Sequence, residues 1–382
     1  MKKLAFIFLF ILTVISCGNY FKTDSLDTKI QKQEIVVPDK DARTAARLDS
    51  MFTKWNELKS FNGSVLIARE GKILLQKSYG LAYKEGNIPL NDSTMFQLAS
   101  VSKVITATAI LKLHEKKLID IEQPFQTYFP DFTYGGITVK QLLNHRSGLP
   151  NYIYFLNSEL GNPSMRLSNN DMYDLMCFKA PAPYLKPNKR FNYCNTNYAL
   201  LALLIEKVTG IAYEDFLKNE IFSPLGMRHT CTINDIDSSR IARAYNEKWK
   251  TEEIDGSDFI LGDKSIFSTP YDLYLFSEAM YNNKLLSEET QRMAYKAYSP
   301  DQKQNNYGLG WRLKDHKDTI RKEVFHNGWW HGYRTAFHRR LKDKITIVVL
   351  SNQLNKTAYH TYRIYEILDN QVLSDSLAAM EE

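Results

Sequence analysis

Apolar positions along the chain change period several times, and each change predicts an element. Leu48, Met51, Phe52, Trp55 and Leu58 recur at helical spacing, so the folded body opens near Ala42 with an amphipathic helix that must lay its apolar face on a neighbour. The next run, "GSVLIAREGKILLQKSYG" (63–80), carries two β-rich segments split at Glu70-Gly71, where glycine permits the positive φ of a tight hairpin. Near the other end, "TAFHRRLKDKITIVVLSNQ" repeats that form with a turn at Lys342-Asp343. Its last run, 345–350, is apolar enough for a central strand, and 357–368 follows as a helix. Helical periodicity dominates between these ends, at 101–118, 138–143, 197–209 and 271–281. The expected fold is therefore α/β in the α+β sense. An antiparallel sheet is built from the N- and C-terminal segments (about 42–98 and 300–375) and flanked by helices, with a mainly helical domain inserted at about 99–299.

The first residues, "MKKLAFIFLFILTVISC", follow another rule. Lys2 and Lys3 precede an apolar run from Leu4 to Ile15 that is too short to span a bilayer and suits the h-region of an export signal. Its end, "VISC", resembles the lipobox of bacterial lipoproteins, which implies that residues 1–16 are removed and that Cys17 becomes the lipidated first residue. The polar stretch 17–41 then reads as a tether between the membrane and the folded body, placing the protein in the bacterial cell envelope. Losing Lys2 and Lys3 lowers the formal charge from +6 to +4. The basic residues are scattered, not gathered into a block or stripe, which argues against nucleic-acid binding. Cys177, Cys194 and Cys231 remain, an odd number without CxxC spacing, so neither a disulfide framework nor a cysteine zinc site is indicated.

Three short segments carry candidate chemistry. "LASVSKVITATAIL" (98–111) sets Ser100 three residues before Lys103 at the start of an apolar helix, with Asp92 and Thr94 read as its start signals. Residues so spaced approach to about 5–6 Å at Cβ, so an unprotonated Lys103 amine could take the Ser100 proton and activate a nucleophile. "RFNYCNTNYALLALLIEKVTG" (190–210) places Tyr193 and Asn195 before a strongly apolar helix. A phenol beside a lysine can relay protons, and the Asn195 amide can orient both a substrate carbonyl and Lys103. "FHNGWWHGYR" (325–334) concentrates histidine, glycine and tryptophan. The gaps between His326, His331 and His338 do not set three ligands on one face, so no metal is expected. On a strand, Trp329 and Trp330 point to opposite sides, one towards a cleft. A nucleophile elbow of the form GxSxG is absent, which sets aside an α/β-hydrolase.

SxxK, YxN and HxG in this order are similar to the serine β-lactamase and penicillin-binding superfamily, on the branch of class C β-lactamases and related esterases and D-peptidases. The connecting stretches "ITVKQLLNHRSGLP" (137–150), "FSPLGMRHT" (222–230), "STPYDLYLF" (268–276) and "YGLGW" (307–311) share the resemblance. It implies Ser100 as nucleophile, Lys103 as proton acceptor, Tyr193 as general acid/base and Asn195 as the amide orienting substrate. His326 and Gly328 fill the third motif, with His326 facing substrate and Gly328 letting the acyl group approach the backbone. An oxyanion hole would form from the backbone N–H groups of Ser100 and Trp329, His145 would be structural, and no cofactor is needed. Lactamases of this branch usually carry lysine where His326 stands, and an imidazole holds an anionic group less firmly. Two positions depart from the pattern: Cys194 replaces the usual serine, read as a small filler, and Asn188 replaces the glycine expected after Pro187. The implied activity is hydrolysis of amides or esters through an acyl-enzyme. Substrates would be D-amino-acid peptides, including peptidoglycan-derived ones, short esters and, weakly, β-lactams. The competing reading, an inactive penicillin-binding-like sensor or surface binding module, has no need of Lys103 or Tyr193.

Overall fold

The computed structural model describes residues 39–160, 165–302, 305–314 and 322–370; the leader, Cys17 and nearly all of the tether lie outside them. Seven strands form one antiparallel sheet: β1 (Gly63–Arg69), β2 (Lys72–Tyr79), β3 (Asn305–Tyr307), β4 (Arg312–Lys314), β5 (Glu323–Trp330), β6 (Tyr333–Arg340) and β7 (Ile345–Ser351). Their order is β2-β1-β7-β6-β5-β4-β3, so the two ends of the chain meet at the β1–β7 seam, where Val65 lies opposite Val349 and Ile67 opposite Ile347. The β1–β2 hairpin turns through Glu70 at φ 51° and Gly71 at φ 78°, the left-handed pair that matches strand twist.

Both faces of the sheet are covered, which is why β1 and β7 read as nearly unbroken apolar runs. Val65 and Ile67 join helix α1 (Asp39–Glu57) through Leu48 and Phe52, and join the helix over 361–370 through Ile364 and Leu368. Leu66 and Ala68 face the other way, into the larger core of the helical half. Leu58 does not share the apolar face expected of it: α1 stops at Glu57 and Leu58 is 65% exposed.

Helix α2 (Ser102–Glu115) is buried along almost its whole circumference and runs beside α3 (Thr196–Thr209), which Gly210 ends at φ 68°. Asp92 and Thr94 do not start α2. The Thr94 hydroxyl accepts from the Asn91 N–H at 3.0 Å in a preceding turn, and α2 grows directly from a 3-10 turn, Ala99–Val101, with no side-chain cap. A small sheet of Phe96–Gln97, Cys231–Thr232 and Ile266–Ser268 fixes that turn. Leu98 N–H donates to the Ile266 carbonyl at 2.8 Å, and Ile266 N–H donates to Ser102 Oγ at 3.2 Å. Helix α4 (Pro270–Tyr281), capped by Thr269, ties the helical half to the sheet through Ser277 and Thr346, whose hydroxyls are 2.7 Å apart. Among the described residues no helix is long and apolar enough to cross a membrane.

Candidate active site

Ser100 lies in the 3-10 turn, directly after Ala99, which is held at φ 49°. A left-handed non-glycine residue costs about 1–3 kcal/mol and persists where its surroundings over-determine it. Lys103, one residue into α2, is fully buried, and its Nζ lies 3.2 Å from Ser100 Oγ and 2.8 Å from the carbonyl oxygen of Asp263. An amine so placed can donate one N–H to Asp263 and keep its lone pair for the serine proton. The Tyr193 and Tyr198 rings flank it at 5.1 and 5.6 Å. The expectation that Asn195 orients Lys103 is not met: the Asp263 carbonyl holds the lysine, from a position 160 residues further along.

Tyr193 Oη and Asn195 Oδ1 are buried and have no hydrogen-bond partner among the described residues. Unpaired buried polar atoms cost about 1–3 kcal/mol each, and here two of them lie on the YxN loop, where a substrate would meet them. The loop is held from beneath by His145. Its Nδ1 accepts the Cys194 N–H at 3.1 Å, its carbonyl accepts the Asn192 N–H at 2.8 Å, and its ring lies 4.2 Å from the Tyr193 ring. Burial, with Lys103, His326 and Arg312 nearby, holds the His145 pKa well below the ordinary imidazole value, so the ring is a neutral acceptor.

The two departures from the motif fit this frame. Cys194 is buried and its thiol points at the Leu149 and Pro150 carbonyls, 3.5 Å from each. Burial pushes its pKa up to about 11, so it fills space and is not a nucleophile. Asn188 adopts φ 61°, a conformation asparagine tolerates better than most residues. Arg146 clamps it, donating to its side-chain and backbone oxygens at 2.7 Å each.

His326, expected to face substrate, is fully buried, and both its ring nitrogens are engaged within the protein. Its Nδ1 lies 2.8 Å from the Asn327 carbonyl, which requires that nitrogen to carry the proton, and its Nε2 accepts the Tyr307 hydroxyl at 3.0 Å. Burial first, then the charges of Arg312 and Lys103, hold its pKa well below the ordinary value. The cation of this wall is Arg312, opposite Phe325 in the β4–β5 pair, with its guanidinium 5.3 Å from the Tyr193 ring and 5.8 Å from the Tyr307 ring. Among the described residues it forms no ion pair. Sequence reasoning passed over it, although it directly follows "YGLGW".

Gly328 has a different use from the one expected. A Cβ there would lie 2.3 Å from the Leu98 carbonyl oxygen, 2.2 Å from Thr335 Oγ1 and 3.1 Å from Ala99 Cβ, so the glycine lets β5 press against the nucleophile turn. Thr335 Oγ1 donates to the same Leu98 carbonyl at 2.7 Å. Strand β5 is thereby held against the turn that carries Ser100. The Trp329 side chain is 64% exposed under Arg334, while Trp330 points the other way and donates its Nε1–H to Asp258 at 2.6 Å. Asp258 also pairs with His331 at 2.9 Å and accepts from Gln97 at 3.1 Å, locking the β5–β6 turn onto the helical half. Gly332 completes that turn against the Tyr245 backbone.

Comparison with known proteins follows the same lines. The family model described as Beta-lactamase matches residues 49–371. Penicillin-binding protein 4* of Bacillus subtilis is 33% identical over 332 residues, covering 82% of this chain and 72% of that protein. A penicillin-binding protein from Bacillus halodurans shares the fold with a TM-score of 0.73 at 23% identity, over 83% of this chain and 98% of that one. A D-amino acid amidase from Ochrobactrum anthropi, solved with L-phenylalanine, does so with a TM-score of 0.73 at 22% identity, over 88% of this chain and 99% of that one.

Proposed function

Since this chain belongs to the beta-lactamase family, we propose that it is a serine hydrolase acting on D-amino-acid peptides or short esters through an acyl-enzyme on Ser100. The observation that carries this reading is the buried Lys103 amine 3.2 Å from Ser100 Oγ, with the Tyr193 phenol unengaged beside it. Lys103 takes the serine proton as Oγ bonds to the substrate carbonyl carbon, and the oxyanion forms against the Ser100 and Trp329 N–H groups. Tyr193 hands a proton to the leaving nitrogen or oxygen as that bond breaks. Water then adds to the acyl carbon, giving up a proton along the same route, and the acid leaves as Ser100 recovers its own.

Arg312 favours substrates that present a carboxylate beside the scissile bond, because its guanidinium lines the wall next to Tyr193. The similar penicillin-binding protein and D-amino acid amidase support amide or ester chemistry of this kind. The leader and Cys17 support action in the bacterial cell envelope on a lipid tether. Turnover of a D-alanyl-D-alanine peptide, a p-nitrophenyl ester and nitrocefin, measured side by side, tests the substrate class. Peptide or ester should be cleaved well and nitrocefin slowly; stoichiometric acylation without turnover of any of them would instead mark a binding module.

A further inference from the structure

The carbonyl that holds Lys103 belongs to a residue whose own side chain is ion-paired in the interior. Asp263 is fully buried, Lys264 is 2% exposed, and Lys264 Nζ lies 3.6 Å from Asp263 Oδ1. Lys264 Nζ also donates to the Ser257 carbonyl at 2.7 Å and to the Tyr152 hydroxyl, which in turn donates to Asp263 Oδ2 at 3.0 Å. Asp263 Oδ1 accepts no hydrogen bond from the described residues. A buried ion pair adds little to stability over an apolar pair of the same size, so stability is a poor reason to set one directly behind a general base.

Charge is a better reason. The groups facing Lys103 are Ser100, the Tyr193 and Tyr198 rings, His145, His326 and the Asp263 carbonyl. None of those side chains is a carboxylate. In a poorly screened interior, an unpaired Asp263 carboxylate one residue's width from Lys103 would favour its ammonium form, which cannot accept the serine proton.

Resting on the hydrolase reading above, we propose that Asp263 and Lys264 are positioning residues for that base. Lys264 neutralises the Asp263 carboxylate, so that Lys103 is held by an uncharged carbonyl and its lone pair stays aimed at Ser100. Lys264 Nζ also lies 5.1 Å from the Trp330 ring, which joins the pair to β5.

The test is a double-mutant cycle on the full chain with a chromogenic ester. Lys264→Met should lower kcat by about tenfold or more, on the scale of a displaced general base, with KM changed by less than about threefold, and should regain rate as the pH is raised. Asp263→Asn should not share this pH-dependent loss, because the stranded Lys264 ammonium disfavours a second ammonium on Lys103. Asp263→Asn/Lys264→Met should return to within about threefold of wild type, since the interior is neutral again. A Lys264→Met variant with unchanged kcat, or a double variant as slow as that single, would overturn the proposal. Should the singles fail to fold, the folded double variant decides alone: a rate within about threefold of wild type supports the proposal, and a tenfold loss overturns it. A wild type that is never acylated on Ser100 contradicts the hydrolase reading itself, which separates the two failures.

Discussion

The Tyr307 hydroxyl donates to Nε2 of His326 at 3.0 Å, and the opposite ring nitrogen faces the Asn327 carbonyl at 2.8 Å. The histidine of the third motif is thus a neutral, buried prop for the cleft wall, and the cation on this wall is Arg312 of the neighbouring strand.

His326→Lys should therefore harm the protein without making it a better lactamase. An ammonium buried where Arg312 and Lys103 already act on the ring lacks a compensating carboxylate, a situation that costs about 3–5 kcal/mol. Urea unfolding should show a lower midpoint, and nitrocefin turnover should not rise. An undiminished midpoint with faster turnover would restore the substrate-facing histidine.

How far the chain could be read in advance follows from the range of each interaction. The paired strands at both ends were legible because hairpin turns and two-sided burial leave local patterns, as at Glu70-Gly71 and 345–350. Ser100, Lys103 and Tyr193 were legible because their motifs are short. The partner of Lys103, the Asp263 carbonyl, is a backbone atom 160 residues away and leaves no side-chain signature. His326 looked free because Tyr307, which occupies it, sits 19 residues upstream in a stretch that seemed only to connect strands. Thr94 misled because a hydroxyl before an apolar run serves a turn as readily as a helix.

Acid should weaken the fold through histidines whose charge is disfavoured in the folded chain. His145 and His326 have pKa values held well below the ordinary 6.5, chiefly by burial. The unfolded chain takes up their protons near 6.5 while the folded chain does not. Their contribution is therefore complete above about pH 6.5 and is lost as pH falls from there through the folded values. His331 opposes them: burial acts against its charge, but Asp258 outweighs burial and raises its pKa, so its contribution is complete below about 6.5 and fades as pH rises through the folded value. With His229, whose pKa burial also lowers, three groups against one predict a urea midpoint that declines from about pH 7.5 to 5.5. The decline should be shallower in His326→Asn and steeper in His331→Asn.

Gly328→Ala should separate the strand from the nucleophile turn. The new methyl would meet the Leu98 carbonyl oxygen at 2.3 Å and Thr335 Oγ1 at 2.2 Å; the hydroxyl can turn aside only by giving up its bond to Leu98, and the backbone carbonyl cannot yield without moving β5 or the turn. A loss of about 1–3 kcal/mol in stability and about tenfold or more in acylation rate is expected from unfolding and stopped-flow measurements. A variant acylated at the wild-type rate would show that the close approach is unnecessary.

Arg312→Gln should discriminate between substrates. For a D-alanyl peptide with a free carboxylate, kcat/KM should fall by about tenfold to a hundredfold, the scale of one charge-assisted contact. For an uncharged ester it should change by less than about threefold. Equal losses on both would make Arg312 a support for the Tyr193 and Tyr307 rings it stacks on, and not a reader of charge.

The most direct measurement is the intact mass of the protein after brief exposure to a slow-turnover acyl donor such as benzylpenicillin, followed by peptide mapping of the adduct. The account predicts one added acyl group, carried on Ser100, absent from Ser100→Ala and formed at least about a hundredfold more slowly in Lys103→Ala. An adduct on another residue, or equal labelling of the wild type and Ser100→Ala, would contradict it.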